Sequence, residues 1–349
     1  MTNRAAVMPT IGAIEIREVR LRAPAAGQAQ VRVEAVGVCG SDTAYYRVGR
    51  IGDWRVEGPI VLGHEASGTV VAVGDGVADV RVGDRVAIEP GSPCRDCTEC
   101  LAGRYHLCPD LAFLATPPYD GALVQNLTID ARNLFPIPDS MSFEAAAMCE
   151  PLSVGLWACR RAGLMPGDHV RVVGAGPVGI LAAQVARAEG AADVVISDIS
   201  DFRLGVAERL GFRTEKAGSV PEGPGYEDAD LLLECSGAPE ALAQGLWRLK
   251  NAGRAAMVGM PKRDVTLALS RLNVKEISVS LVNRYAHTWP TAIALVASGR
   301  VDVESLITHR FELDDTEAAL TLAQDVSDSM KAVIYPNGVP DPRPTPAAP

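Results

Sequence analysis

The segment Gly174-Ala175-Gly176-Pro177-Val178-Gly179 restricts what this chain can fold into more than any other. It stands between an apolar run, Val170 to Val173, and a stretch of helical patterning from Val178 to Glu189. A strand that breaks into three glycines at this spacing and then enters a helix forms the first turn of a strand-helix-strand unit. The glycines permit the tight turn, the close approach of backbone to a ligand, and close helix-strand packing. Further apolar runs follow at Val194 to Ser197, Leu231 to Glu234, Ala255 to Val258 and Val279 to Val282. Strands alternating with helices predict an α/β fold with a doubly wound parallel sheet. Nineteen residues beyond Gly179, at the end of the next strand, stands Asp198, where a carboxylate accepts from the adenosine ribose hydroxyls of a dinucleotide. A carboxylate there repels a 2′-phosphate, and the next basic residue, Arg203, is five positions on. The expected cofactor is therefore NAD and not NADP, with Gly174, Gly176, Pro177, Val178, Gly179, Asp198 and Arg203 as its binding residues.

The chain before that unit reads differently. Residues 31–36 alternate as Val-Arg-Val-Glu-Ala-Val, and the runs Pro59 to Leu62, Thr69 to Val73 and Arg85 to Ile88 are short, β-branched and bounded by glycine or proline. That pattern predicts a β-rich region. Helical patterns begin at Phe143 to Met148 and Leu152 to Arg161, and another covers Trp289 to Ser298. A length of 349 residues suits two domains. The expected division is a β-rich domain over 1–150 with a lobe at 91–121, a dinucleotide domain over 151–287, and a return of 288–349 to the first domain, ending in a tail too proline-rich to pack. Acidic residues outnumber basic ones 43 to 33, with no basic run, so binding to nucleic acid or to an anionic membrane has no electrostatic footprint. The N-terminus lacks a signal-type apolar core, and the richest apolar run, Val172 to Ala183, is broken by glycines and Pro177. A cytoplasmic location is expected, and there eight cysteines read as metal ligands or buried thiols rather than as disulfides.

Two cysteine- and histidine-containing stretches carry the chemistry. Gly63-His64-Glu65-Ala66-Ser67-Gly68 sets an imidazole and a carboxylate side by side. Neighbours diverge on a regular element, so an irregular turn eased by the flanking glycines is needed to aim both at one centre. Both are zinc-ligand types, and a catalytic zinc requires a third. Cys39, at the glycine turn Cys39-Gly40-Ser41-Asp42, is either that ligand or a small buried thiol. Glu150 stands at the junction between the two textures, where it is placed either to act or to start a helix, and Cys149 beside it is another possible ligand. Separately, Cys94, Cys97, Cys100 and Cys108 fall within fifteen residues, the density of a closed zinc site that orders a lobe lacking its own core. An iron-sulfur cluster is the rival reading, although a ferredoxin run places its fourth cysteine after three residues instead of seven.

Assembled, these residues resemble the zinc-containing medium-chain alcohol dehydrogenases. The motif G-H-E-x2-G-x5-G-x2-V is matched in full by Gly63, His64, Glu65, Gly68, Gly74 and Val77. Within that superfamily the chain is most similar to sorbitol (L-iditol), xylitol and arabinitol dehydrogenases, through V-G-x-C-G-S-D, L-G-H-E-A-S-G-T-V, E-P-L-S-V-G and R-Y-x-x-T-W-P between Val36 and Pro290. The resemblance implies a Rossmann domain joined to a GroES-like catalytic domain, NAD, and two zinc ions per chain. It implies that Cys39, His64 and Glu65 ligate the catalytic zinc, with Glu150 at the metal or its water and Ser41 passing the alcohol proton outward. Tyr45, Phe113, Thr116, Arg284 and Tyr285 would line a site for a small polyol, and the enzyme would be a homo-oligomer, a tetramer or a dimer. Two departures stand out. Ala44 replaces the family's histidine after S-D-x, and the four lobe cysteines, which animal sorbitol dehydrogenases lack as a set, are all present. Zinc's two positive charges would be neutralised by the Cys39 thiolate and the Glu65 carboxylate. Threonine- or butanediol-type dehydrogenases, and a non-catalytic NAD-binding protein, are the alternatives.

Overall fold

The computed structural model describes residues 2–218 and 227–339. The chain divides into two compact units, one of Met1–Ser92, Ala112–Ala147 and Ile307–Pro349, the other of Pro93–Leu111 and Met148–Leu306. The cysteine segment 93–111 and the helix Trp289–Ala297 thus belong with the second unit, and the return to the first comes at Ile307 rather than 288.

The first unit is β-rich. Its seven-stranded sheet centres on Gln28–Gly37, which pairs antiparallel with Glu65–Val73, Asn126–Asp130 and Lys331–Tyr335. Alternation in Gln28–Gly37 turns Ala29, Val31 and Val33 inward, onto a core with Val70, Ile88 and Ile334. The strand expected at Arg85–Ile88 has those limits. The hairpin Thr2–Thr10 with Ala13–Arg20 was not expected, because Ala5, Ala6, Val7 and Met8 are buried consecutively and leave no alternation to read.

The second unit holds a six-stranded parallel sheet, in the order Arg213–Lys216, Asp193–Asp198, His169–Val173, Ala229–Glu234, Leu249–Met257 and Ser278–Leu281. This is the order of a doubly wound dinucleotide fold, with its crevice where the chain reverses direction around His169–Val173. Strands covered on both faces read as unbroken apolar runs, as Leu231, Leu232 and Leu233 do, all fully buried. The helix Cys149–Ala162 carries Pro151 in its first turn, where the missing N–H has no partner to lose. Gly155 lets this helix close on Pro177–Ala188: a Cβ there would lie 2.9 Å from the Ala182 nitrogen.

Candidate active site

Three buried or half-buried groups of the first unit converge. One ligand atom each from Cys39, His64 and Glu65 lies within 4.8 Å of the others. Cys39 is the N-cap of the helix Gly40–Val48. Gly63, at φ +87°, makes the turn that precedes His64, and Glu65 is the first residue of its strand. The pair is thus aimed by the junction between loop and strand. Gly68 plays no part in that turn; it sits within the strand, where a Cβ would collide with the Arg32 carbonyl of the neighbouring one.

The sequence reading missed what holds these groups. Asp42, 1% exposed, accepts from the Cys39 N–H and the Gly63 N–H, each at 2.9 Å, and its Oδ1 lies 3.6 Å from His64 Nδ1. One carboxylate therefore ties both ligand-bearing turns and sets the imidazole's orientation, leaving Nε2 for a metal. Burial works against a charged His64, but the Asp42 charge outweighs it and holds the imidazole well above its ordinary value. Burial likewise pushes Asp42 up, and His64 with the two backbone donors brings it below the usual carboxylate range. The ring of Phe113 lies 5.7 Å from that of His64.

Glu65 has a second missed partner. Lys331, the first residue of the strand Lys331–Tyr335, forms an ion pair with Glu65 Oε2, the two side chains being 4% and 1% exposed. Gly37, opposite Glu65 in register, makes the space: a Cβ there would strike Glu65 Oε2 and approach Lys331 Cε to 3.1 Å. A thiolate, an imidazole and a carboxylate are the donor types zinc takes at a catalytic site with a position left open. Lys331 corrects the charge count, since its ammonium cancels Glu65 and leaves a bound dication under-neutralised.

In the second unit the four lobe cysteines also converge within 4.8 Å, with Cys94 Sγ at 3.4 Å from Cys108 Sγ and 3.9 Å from Cys100 Sγ. Sulfurs arranged tetrahedrally about one zinc at ~2.3 Å stand ~3.8 Å apart, so the set fits a single ion. A cluster would spread its ligands over several irons. All eight cysteines are free thiols, which removes the disulfide reading. The Cys100 backbone N–H brings the Cys97 thiol down to about 7, whereas Asp96 raises Cys94 and burial raises Cys100, so a metal's charge would be needed to hold all four as thiolates. Cys149 is fully buried and its thiol is pushed well up, so it behaves as a core residue rather than a ligand.

The glycine turn of the second unit could hold a dinucleotide. Gly174 has φ +99°, and a Cβ on it would lie 2.9 Å from the Ser236 nitrogen; a Cβ on Gly179 would strike the Gly174 carbonyl. Gly176, the N-cap before Pro177 and Val178, faces open space, with Arg203 Nη1 4.0 Å from where its Cβ would be. Asp198, 8% exposed, accepts from Ala175 N at 2.6 Å and Ser200 N at 2.8 Å, so its carboxylate is pinned against the turn in advance. Glu234, another residue the sequence reading passed over, accepts from the Ser236 and Gly237 N–H groups and shapes the adjoining turn; burial raises it.

Glu150 lies in the first turn of Cys149–Ala162, 5% exposed, and its Oε1 accepts from Tyr285 OH at 2.9 Å. That bond joins two expected site residues 135 positions apart. Arg284, at φ +55°, precedes Tyr285 and is half-buried. Of the remaining expected residues, all in the first unit, Ser41 is half-buried at the start of Gly40–Val48, Tyr45 is 3% exposed and packs in the core, and Thr116 precedes the Pro117-Pro118 step.

Comparison with known proteins accords with this geometry. Residues 25–139 match the alcohol dehydrogenase GroES-like domain, and residues 177–298 match the zinc-binding dehydrogenase family. A sorbitol dehydrogenase of Bacillus subtilis is 39% identical over 345 residues, covering 96% of this chain and 97% of the relative. Among solved structures, an Escherichia coli oxidoreductase of unknown specificity superposes with a TM-score of 0.90 at 32% identity, over 96% of this chain and 99% of the other. The 2R,3R-butanediol dehydrogenase of Bacillus subtilis does so with a TM-score of 0.88 at 28% identity, over 96% and 100%. With both ligand sets and the glycine turn in place, the chain belongs to the zinc-containing medium-chain alcohol dehydrogenases.

Proposed function

We propose that this enzyme oxidises a secondary hydroxyl of a small polyol, of the sorbitol or xylitol type, to the ketose with NAD. The observation that carries the reading is the converging Cys39-His64-Glu65 set, with His64 and Glu65 buried and Cys39 half-buried, held by Asp42 and charged by Lys331. The sorbitol dehydrogenase relative supports the choice of substrate class. When bound, zinc supplies a Lewis acid that acidifies an alcohol, and NAD supplies the hydride acceptor. The chain's residues do the rest. Cys39, His64 and Glu65 would hold the metal, and Lys331 raises the positive potential they surround. Glu150, oriented by Tyr285, contributes negative charge for handling the hydroxyl proton, and Ser41 passes that proton outward, with water replacing the histidine that Ala44 displaces. Tyr45, Phe113 and Thr116 would wall the polyol site, while the Arg284 guanidinium donates to hydroxyls that a simple alcohol lacks. Asp198 receives the ribose and repels a 2′-phosphate, with Gly174, Gly176, Pro177, Val178, Gly179 and Arg203 around the pyrophosphate.

The decisive experiment is initial-rate NAD reduction across sorbitol, xylitol, ribitol, arabinitol, galactitol, threonine and butanediol. Turnover confined to threonine or butanediol would move the chain to those dehydrogenases. Glu150→Gln should retain zinc while lowering turnover and shifting its pH dependence; loss of the metal would make Glu150 a ligand in the resting enzyme. Arg284→Ala should raise KM for polyols more than for simple alcohols.

The same reading includes a cytoplasmic homo-oligomer. Among the described residues no helix is long and apolar enough to cross a membrane. The edge strand Ser278–Leu281 exposes Val279 and Leu281, the latter at 71%, and an apolar edge of this kind favours pairing with a second copy. Sedimentation at micromolar concentration would read the assembly, and a monomer would refute it.

A further inference from the structure

The segment between the strand Ser278–Leu281 and the helix Trp289–Ala297 carries Arg284 and Tyr285, and its backbone is strained at two places: Arg284 and His287 both have φ +55°. Non-glycine residues keep that conformation where their surroundings enforce it. Tyr285, Ala286, Thr288 and Trp289 are all buried, which fixes the side chains around the strained backbone. His287 itself is exposed, and its restraints come from the cysteine lobe. Its N–H donates to Tyr105 OH at 2.9 Å, and its Nε2 donates to the Gly103 carbonyl at 2.9 Å. Its ring stands edge-on to that of Tyr105 at 5.0 Å. The His287 carbonyl accepts from Arg160 at 2.8 Å, and Arg160 also donates to Thr291 at 3.0 Å, so the far side is tied to the helix that carries Glu150 in its first turn. Gly103 and Tyr105 lie between Cys100 and Cys108, inside the loop that a lobe zinc would close.

We propose that the cysteine lobe is a positioning device for polyol recognition: through Gly103 and Tyr105 it clamps His287 in the left-handed conformation that presents Arg284 and keeps Tyr285 on Glu150. This rests on the reading of Arg284 and Tyr285 as substrate residues. A lobe that served only stability could be anchored anywhere on the unit. This one is anchored on the strained residue two positions from Tyr285.

The test uses the zinc-loaded enzyme and two kinds of readout. Tyr105→Phe keeps the ring and removes the acceptor of the His287 N–H; His287→Ala removes the imidazole donor. Each should raise KM for the best polyol about tenfold, as the loss of one positioned hydrogen bond does, while NAD KM and two zincs per chain are kept. His287→Asn, which tolerates positive φ and offers an amide donor, should restore KM to about threefold of wild type or better. Independently of substrate, hydrogen exchange in the peptide spanning 284–289 should quicken in Tyr105→Phe and in Cys94→Ser. Unchanged exchange in that peptide overturns the proposal, as does faster exchange with an unchanged polyol KM. If the wild type turns over no polyol but exchange still responds, the substrate assignment falls and the coupling stands.

Discussion

Replacing Lys331 by methionine would show what the buried ion pair contributes. Methionine keeps the length and apolar stem of lysine and deletes the ammonium, which leaves the Glu65 carboxylate, 1% exposed, without its cation. Breaking a buried pair by removing one partner costs ~3–5 kcal/mol, because the remaining charge stays desolvated. For a unit of this size each kcal/mol is worth ~2–4 °C in Tm, so the metal-free variant should melt roughly 6–20 °C below metal-free wild type. Zinc at Cys39, His64 and Glu65 would give the carboxylate a second cation, so the loss in the zinc-loaded form should be at most about half of that. The same substitution removes a positive charge beside a dication and should make zinc harder to strip with a chelator. Thermal unfolding of both proteins, with and without exhaustive chelation, reads the difference; loss of the lobe zinc is common to both and cancels. Equal destabilisation with and without metal would refute the reasoning, since Lys331 would then support the fold without acting on the ligand set.

Cys94→Ser should reduce the metal content from two zincs per chain to one and lower Tm, since a closed site contributes directly to folding; an iron-sulfur absorbance in the wild type would sink the assignment. Asp198→Ala should weaken NAD binding and relax discrimination against NADP about tenfold or more, the scale of one charge-assisted hydrogen bond, and it should also loosen the glycine turn, because Ala175 and Ser200 lose their acceptor. Acid stability should depend on Asp228: burial pushes its carboxyl up, but Arg171 and Arg248 outweigh it and hold it down at about 2. A carboxylate depressed on folding contributes fully above its unfolded value of ~3.9 and loses that contribution as pH falls towards its folded value. Asp228→Asn should therefore flatten the acid limb of stability between about pH 4 and 2; an unchanged limb would show that the ion pairs of Asp228 with Arg171 and Arg248 carry no linkage.

Local chemistry made part of this protein legible in one dimension. The glycine turn at 174–179 and the acid at 198 can be read because strand, turn and helix are consecutive, and Gly174 and Gly179 answer demands arising inside the turn, a positive φ and the approach of the Gly174 carbonyl. The lobe cysteines are legible for the same reason, a short loop bringing four soft ligands to one ion. The apolar runs of the parallel sheet were readable because burial on both faces writes itself into consecutive residues, whereas Ala5 to Met8, buried in the same way but with no flanking helices, gave no comparable signal. What tertiary structure decided was which distant groups answer the motif residues. Lys331 meets Glu65 from near the far end of the chain because its strand lies beside Gln28–Gly37 and Gly37 leaves the space. Tyr285 reaches Glu150 across 135 positions, and His287 reaches Tyr105 across 182. Lysine, tyrosine and histidine at such positions carry no periodic or spacing signal, since their roles are set by the charge or lone pair that folding places opposite them. The sequence thus determined the ligands and the cradle, and the fold determined the charge and the restraint under which they act.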